Sequence, residues 1–259
     1  MPLNIHQTAI VHPGARISEN VEIGPYSIIG QYVEIGEGSV IGNHVTITGH
    51  TSVGKDNKIF HYCSIGESPQ DKKYSDEPTM LKIGDRNTIR EFCTFNCGTV
   101  QDKKVTTIGS DNWIMAYVHV AHDCVIGDNI ILANNTSLAG HVEINDYAIL
   151  GGLTGVHQHC KVGSHSIVAA GSIVFQDVPP FIMAAGYSAK PNGINVEGLK
   201  RRDFSAEDIA IIKKGYKAIY RDGNTLDEAI SILGIMANDS LSINLYVDFI
   251  KHSKRGIVR

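Results

Sequence analysis

Histidine is the residue type whose spacing in this sequence most suggests chemistry. The chain has 12 histidines, and His122, His141, His157 and His159 fall 13 to 15 residues into successive stretches of 18 residues counted from Ile108. If 18 residues form one coil of a stacked structure, these side chains lie along one corner, separated by about 4.8 Å for each coil. The spacing therefore predicts a column of imidazoles drawn from three consecutive coils, with His119 a short distance away.

Three interpretations of this column are open at the level of the residues. The histidines are corner side chains that hydrogen-bond to carbonyl groups, or they form a zinc site that activates water, or one neutral imidazole is a general base. The adjacent pair His122 and Asp123 favours the third, because a carboxylate can fix the tautomer of an imidazole and raise its basicity. Gly140, directly before His141, offers a backbone N–H that could face a developing oxyanion, and it is equally typical of a plain corner.

A six-residue period predicts the scaffold that positions this column. Aliphatic or aromatic residues occupy every sixth position over 5–65, 83–95 and 108–174, and a glycine often follows them. A helix, with a period of 3.6, does not explain this pattern, and neither does a simple strand, with a period of 2. A mainly β fold, a parallel β-helix of hexapeptide repeats, does explain it. The 26 positions in phase predict roughly nine triangular coils.

Two polar interruptions of the period predict protruding loops over 66–82 and 96–107, and such loops on a rigid scaffold are common places for binding groups. The period stops after Val174. From about residue 205 the sequence predicts about three helices, because Ser205 with Asp208 and Thr225 with Glu228 have the spacing of capping boxes. We therefore divide the chain into a β-helix over 1–190 and a helical domain over 191–259, which we expect to cover one open end of the prism.

Composition and charge exclude several classes of protein. Hydrophobic residues make up 42% of the 259 residues, and the net charge is −4, which does not indicate nucleic-acid binding. The sequence shows neither a stretch of roughly 18 apolar residues nor a secretory leader, so we expect a cytoplasmic protein without stable membrane insertion. The five scattered cysteines predict reduced, buried thiols. Residues 200–259 carry 11 Lys and Arg against 8 Asp and Glu, which favours an acidic partner.

The sequence resembles the UDP-N-acetylglucosamine O-acyltransferases, the first enzymes of lipid A synthesis, from end to end. The segments that carry the resemblance are Ile65–Tyr74, His119–Cys124, Ile131–Asn135, Leu138–Val142, Val156–Gln158, Gln176–Pro180 and Asn195–Arg202. The resemblance implies a left-handed β-helix, a homotrimer with active sites between neighbouring prisms, and no metal or other cofactor. It also implies transfer of an (R)-3-hydroxyacyl group from acyl carrier protein to the 3-hydroxyl of the glucosamine of UDP-N-acetylglucosamine (UDP-GlcNAc).

The resemblance also implies a role for each matching residue. His122 is the expected general base, Asp123 the residue that orients it, and the amide of Gly140 the oxyanion donor. The residues expected to bind or position the substrates are Asp71, Lys73, His119, His141, His157, Gln158, Asn195, Glu197, Arg201 and Arg202. The residues of this set that are expected to hold the nucleotide are Gln158, Asn195, Glu197, Arg201 and Arg202.

Three segments depart from the family pattern. Asn96 and Cys97 replace the usual His-Arg, and the stretch around Ser188 lacks the usual Asn-His, so no contacts are assigned there. Ala170 stands where the family has a glycine that gauges acyl length, and the added methyl predicts a preference for a shorter chain. The alternatives are the N-acyltransferase that acts later in the same pathway, a metal-dependent hydratase, and a non-catalytic trimeric scaffold or sugar-nucleotide binder. The choice between a 3-hydroxyl and a 3-amino acceptor is open at the level of the sequence.

Overall fold

The chain folds into a triangular prism of short parallel strands, followed by a helical region. The structure is a computed structural model, and it describes residues 4–237 and 240–259. Each of the 26 positions of the six-residue period lies in one of the first 26 strands, so the predicted period is confirmed.

The strand bounds are as follows. The first fourteen are β1 (Asn4–Ile5), β2 (Ile10–Val11), β3 (Arg16–Ile17), β4 (Glu22–Ile23), β5 (Ile28–Ile29), β6 (Glu34–Ile35), β7 (Val40–Ile41), β8 (Thr46–Ile47), β9 (His50–Val53), β10 (Lys58–Ile59), β11 (Ser64–Glu67), β12 (Met80–Ile83), β13 (Thr88–Ile89) and β14 (Thr94–Asn96). The others are β15 (Val105–Ile108), β16 (Trp113–Ile114), β17 (His119–Val120), β18 (Val125–Ile126), β19 (Ile131–Leu132), β20 (Ser137–Leu138), β21 (Glu143–Ile144), β22 (Ile149–Leu150), β23 (Gly155–Val156), β24 (Lys161–Val162), β25 (Ile167–Val168), β26 (Ile173–Val174), β27 (Ile182–Ala185) and β28 (Lys190–Ile194).

Successive strands pass to successive faces of the prism, so every third strand belongs to the same sheet. Sheet A runs from β1 through β4 to β25 and continues into β27 and β28, sheet B from β2 to β26, and sheet C from β3 to β24. The register is strict: Ile5 pairs with Ile23, and Ile131 pairs with Ile149. Together with the similarity to solved structures described below, this is the left-handed parallel β-helix with a helical C-terminal region that the resemblance implies.

The side chains of the period fill the interior of the prism. From Ile23 to Val174 they are buried, whereas Ile5, Val11 and Ile17 in the first coil are only partly covered. The five cysteines are buried and free, as predicted. Because each coil contacts mainly its neighbours, this core is built coil upon coil along the axis.

An asparagine ladder holds the coils together at the corner between sheets C and A. The side chain of Asn57 accepts from the backbone N–H of Asn87, that of Asn87 from Asn112, and that of Asn112 from Ile130, at 3.0, 3.0 and 2.7 Å. All three asparagines are buried. The first two of these steps cross the two interruptions of the period, so the ladder keeps the stacking in register where the chain leaves the prism.

The two interruptions form loops over residues 68–79 and 97–104, which are shorter than the predicted 66–82 and 96–107 because the neighbouring strands extend into both segments. Helices follow the prism: α1 (Val196–Arg201), α2 (Ala206–Tyr220), α3 (Leu226–Met236) and α4 (Leu241–Lys251). The two predicted capping boxes start α2 and α3. The antiparallel pair β27 and β28 and the short helix α1 were not predicted, and the proposed division at 190/191 falls at the start of β28.

The helical region packs against the end of the prism that β26 and β27 form. The rings of Phe181 and Tyr246 lie 5.4 Å apart, and both side chains are fully buried. None of the described helices is long and apolar enough to cross a bilayer.

Candidate active site

His122 and Asp123 form a buried hydrogen-bonded pair at the corner between sheets B and C. Nδ1 of His122 lies 3.0 Å from Oδ2 of Asp123. The N–H of Thr99 lies 3.1 and 3.0 Å from the two carboxylate oxygens, and its hydroxyl donates to Oδ2 at 2.6 Å. The backbone N–H of Asp123 donates to the hydroxyl of Thr106 at 2.8 Å. The carboxylate is therefore held in one orientation beneath the imidazole.

These contacts decide the charge state of Asp123. Burial acts to raise the pKa of its carboxyl, but the hydrogen bonds from His122 and Thr99 outweigh it and hold the pKa below its ordinary value. An ionised carboxylate accepts a hydrogen bond from Nδ1–H of the imidazole, and in that tautomer of the neutral ring Nε2 of His122 carries no proton and can accept one.

Gly140 provides the space in which the His122 ring lies. The two residues occupy equivalent positions on successive coils, and a Cβ built on Gly140 would lie 2.5 Å from Cε1 and 2.6 Å from Nε2 of the imidazole. Among the described residues, no oxygen accepts a hydrogen bond from the amide of Gly140. The site thus combines an imidazole nitrogen and a free backbone donor on adjacent coils.

His141 and His159 continue the column as predicted. They stack with their ring centroids 4.4 Å apart, and His141 meets His122 edge to face at 4.9 Å. Nδ1 of His141 lies 2.6 Å from Oδ2 of Asp102, which comes from the loop 97–104. Burial, followed by the charge of His141, lowers the pKa of His159.

The loop 97–104 thus brings two groups to the column that the sequence analysis missed, Thr99 and Asp102. They follow the two positions that depart from the family pattern. Because an insertion has no phase in the six-residue period, spacing alone did not place them. Their only signal in the sequence is a hydroxyl and a carboxylate in a loop beside the predicted column.

A cleft of about 720 Å³ opens in front of the part of the column formed by His141 and His159. It is lined by Asp71, Lys73, Thr99, Gln101, Asp102, Lys103, His141, Glu143, Gln158, His159, Lys161, Lys254 and Arg255. The structure therefore brings together four of the predicted binding residues, Asp71 and Lys73 from the loop 68–79 and His141 and Gln158 from the corner.

His119 and His157 lie on a different surface, the outer face of sheet B. The prediction that His157 belongs to the column is therefore wrong, because His157 directly follows β23 and lies on the face of the sheet before the chain reaches the corner. They border an apolar groove of about 330 Å³ with Ser137, Leu138, Ala139, Gly155, Val156, Ile173 and Phe175. Nδ1 of His119 lies 2.8 Å from the hydroxyl of Thr94, and burial lowers the pKa of this imidazole. His157 is exposed. His119 thus lies in the coil that carries His122, and His157 lies two coils further along the prism.

Of the five residues expected to hold the nucleotide, Gln158 lies in the cleft at the histidine corner, and the other four lie at the corner between sheets C and A. Asn195 caps α1 by accepting from the N–H of Gly198 at 3.1 Å, and its amide donates to the carbonyl of His165 at 2.9 Å. Glu197 is paired with Lys200 at 3.1 Å on the exposed side of this helix.

Arg202 donates to the carbonyl of Tyr147 at 2.9 Å and lies over its ring, while Arg201 is exposed. The structure therefore does not place these two arginines beside His122 of the same chain. Ala170 occupies the third corner, between sheets A and B, where it is exposed and does not line the groove of His119.

His122, Asp123 and His141 offer ligand atoms within 4.8 Å of one another, a spacing that would suit a metal ion. Both nitrogen atoms next to a carboxylate, Nδ1 of His122 and Nδ1 of His141, already have a hydrogen-bond partner. Two imidazoles in carboxylate hydrogen bonds need no metal to explain their placement.

Comparison with known proteins places this geometry in a family. The acyl-[acyl-carrier-protein]--UDP-N-acetylglucosamine O-acyltransferase of Thiobacillus denitrificans is 62% identical over 255 residues, which cover 98% of this chain and 99% of the relative. The chain belongs to the UDP-N-acetylglucosamine O-acyltransferase family. The relative of the same name from Herminiimonas arsenicoxydans is 57% identical over 259 residues, 98% of this chain and 99% of the relative.

Family models and solved structures agree with this assignment. Residues 177–258 match the second domain of UDP-N-acetylglucosamine O-acyltransferase, and residues 14–49 and 106–140 match the bacterial transferase hexapeptide repeat. The UDP-N-acetylglucosamine acyltransferase of Francisella novicida has a TM-score of 0.97 and 45% identity, covering 98% of this chain and 94% of the other. The Arabidopsis enzyme has a TM-score of 0.84 and 34% identity, covering 98% and 100%. Membership makes this chain an acyltransferase.

Proposed function

We propose that this acyltransferase moves an (R)-3-hydroxyacyl group from acyl carrier protein to the 3-hydroxyl of the glucosamine of UDP-GlcNAc, the first step of lipid A synthesis, in the cytoplasm. The observation that carries the proposal is the pair of His122 and Asp123, with the ring of His122 lying in the space beside Gly140, whose amide has no acceptor among the described residues. The family relatives named for the same donor and acceptor support the choice of substrates.

The reaction follows from this geometry as one direct transfer. Nε2 of His122 takes the proton of the sugar 3-hydroxyl while that oxygen attacks the thioester carbonyl. The carbonyl oxygen becomes an oxyanion, which the N–H of Gly140 stabilises. When the tetrahedral intermediate collapses, the C–S bond breaks, the ester remains on the sugar, and the imidazolium returns its proton to the departing thiolate. No acyl group is attached to the enzyme.

The cleft supplies groups for the sugar. Asp71, Lys73, His141 and Gln158 face the same space in front of the column, and an amide, carboxylate and imidazole suit the hydroxyl groups of a hexose. We propose that His119 and His157 position the substrates from the side of sheet B.

We propose a homotrimer in which the nucleotide corner of one chain meets the histidine corner of the next. The support is the placement of Asn195, Glu197, Arg201 and Arg202 at a different corner of the prism from His122. Arg201 and Arg202 would then bind the diphosphate of a substrate whose sugar lies against the neighbouring chain.

Complementation tests this arrangement. Chains with His122→Ala and chains with Arg202→Ala are each expected to be inactive, but co-expressed they form mixed trimers that each contain one intact site. With equal expression and random assembly, activity should return to about one quarter of the wild-type value. Recovery of no activity from proven mixed trimers would show that both residues serve the same chain's site.

The basic helical region is proposed to attract the acidic carrier. Lys213 and Lys217 are exposed on α2, so replacing both with Gln should raise the KM for the acyl carrier substrate at low salt and much less at high salt. A change that does not depend on salt would contradict this role.

Mass spectrometry gives the direct test of the function. UDP-GlcNAc is incubated with a mixed pool of (R)-3-hydroxyacyl carrier proteins of different chain lengths, with wild type, His122→Ala and the control His252→Ala in parallel. The expected product carries one hydroxyacyl group and appears with wild type and the control only. The absence of product with wild type, together with product from a 3-amino acceptor, would overturn the choice of acceptor.

A further inference from the structure

The segment 253–258, which follows α4, is fixed against the histidine corner by one buried carboxylate. Asp177 has no exposed surface. Its side chain accepts from the hydroxyl of Ser253 at 2.7 Å and from the N–H of Lys161 at 2.8 Å. Its backbone N–H donates to the carbonyl of Gly256, and its carbonyl accepts from the N–H of Val258, both at 2.9 Å.

This anchoring determines where the side chains of the turn lie. Lys161 is the first residue of β24 and belongs to the coil that carries His159. Lys254 and Arg255 lie between Ser253 and Gly256 in the sequence. Both basic residues consequently line the cleft in front of the histidine column. A pair of cations held there by a buried anchor is preorganised for binding, since ordering the segment costs no further entropy.

The charges in the cleft are not balanced. Lys103 and Lys161 are both paired with Glu143, at 3.4 and 2.9 Å, and Asp102 is paired with His141. The remaining cations are Lys73, Lys254 and Arg255. Over residues 4–237 and 240–259, none of these three has a carboxylate within 4.0 Å, and of the acidic residues that line the cleft only Asp71 remains unpaired.

We propose that Lys254 and Arg255 form a phosphate subsite at the edge of this cleft. The proposal rests on the proposed function, in which both substrates carry phosphate. The ligand is a phosphate ester whose non-bridging oxygens accept from the guanidinium fork of Arg255 and from the ammonium of Lys254. Its source is either the diphosphate of the sugar nucleotide or the phosphodiester that joins the pantetheine arm to its carrier. The site is separate from the one proposed for Arg201 and Arg202, which lies at another corner.

Binding measurements test the subsite without requiring turnover. Calorimetry compares phosphopantetheine, pantetheine, and UDP-GlcNAc on the full chain carrying His122→Ala. In this background Lys254→Gln and Arg255→Gln are combined, and Lys251→Gln, an exposed residue at the end of α4 that does not line the cleft, is the matched control. Circular dichroism and the mass of the oligomer confirm that each variant is folded.

The outcomes separate the two sources. If the subsite holds the phosphodiester, the double variant binds phosphopantetheine about ten- to hundredfold more weakly, and its affinity for pantetheine is unchanged. If it holds the diphosphate, the same loss appears for UDP-GlcNAc instead. Affinities equal to those of the Lys251→Gln control for all three ligands would overturn the proposal.

Steady-state kinetics of the same double variant on an otherwise wild-type chain distinguish this proposal from the proposed function. A rise in the KM for acyl-phosphopantetheine or for UDP-GlcNAc, with the KM for acyl-pantetheine unchanged, is expected. A wild-type chain that shows no turnover but retains the phosphate-dependent binding would refute the function and leave the subsite standing. An increase in KM for the intact carrier protein alone, abolished by salt, would overturn the subsite in favour of general charge attraction.

Discussion

Replacing Gly140 with alanine is the sharpest test of the catalytic pair, because the change adds one methyl group directly against the imidazole. The new Cβ would lie 2.5 Å from Cε1 and 2.6 Å from Nε2 of His122. Comfortable carbon contacts begin near about 3.5 Å, so the ring must move by about 1 Å. Since Gly140 is not in the left-handed region of backbone conformation, alanine introduces no other strain there.

The magnitude follows from the displacement. A misplacement of about 1 Å at a reacting group costs about a hundredfold in rate, which corresponds to about 2.7 kcal/mol of transition-state stabilisation. We therefore expect kcat to fall about a hundredfold for Gly140→Ala. The melting temperature should fall as well, because the ring that must move is buried and hydrogen-bonded to Asp123.

The assay measures initial rates of acyl transfer for four proteins and one control. These are wild type, Gly140→Ala, His122→Ala, and the double variant, with Gly234→Ala as the control because a Cβ at Gly234 meets no atom within 4 Å. If the methyl acts only by displacing the imidazole, the double variant should be no slower than His122→Ala. Wild-type kcat in Gly140→Ala, or a loss in the double variant equal to the product of both single losses, would refute the reasoning.

Three further predictions concern single residues. Thr99→Val removes the 2.6 Å hydrogen bond from the threonine hydroxyl to Asp123. Because that bond lowers the pKa of the carboxyl, the acid limb of the pH profile of kcat should move to higher pH. An acid limb at the wild-type pH would contradict this role of Thr99. Burial and the charge of Arg202 lower the pKa of His165 to about 4, so the unfolded chain binds the proton first and the free energy of unfolding should fall as the pH drops from about 6.5 towards 4. His165→Phe should reduce that fall in urea titrations; an identical fall would exclude His165 as its source. Ala170→Gly should shift the product of a mixed donor pool towards longer acyl chains, and an unchanged product distribution would reject Ala170 as the residue that limits chain length.

The sequence predicted the parts of the fold that repeat. A period of six placed all 26 core positions in their strands, and the shared phase of His141 and His159 predicted that their rings would stack. These predictions succeeded because in a stacked prism the sequence separation of 18 residues is itself a distance. Capping boxes at Ser205 and Thr225 likewise depend only on local spacing.

The groups that were not predicted lie where the period gives no information. Thr99 and Asp102 sit in an insertion, and Arg255 reaches the cleft through long-range bonds to Asp177 that no spacing encodes. The short helix α1 was missed because one turn and a half of helix has too few residues to show an apolar face.

The asparagine ladder has a consequence for how this enzyme can change. By bonding across both insertions, Asn57, Asn87 and Asn112 keep the coils aligned whatever the intervening chain does. The loop 68–79 can therefore gain, lose or exchange residues while the histidine column stays in place, whereas the loop 97–104 must keep Thr99 and Asp102, which bond to Asp123 and His141. Evolution, or an engineer seeking a different acceptor, can rewrite the wall of the cleft that carries Asp71 and Lys73 and leave the catalytic column untouched.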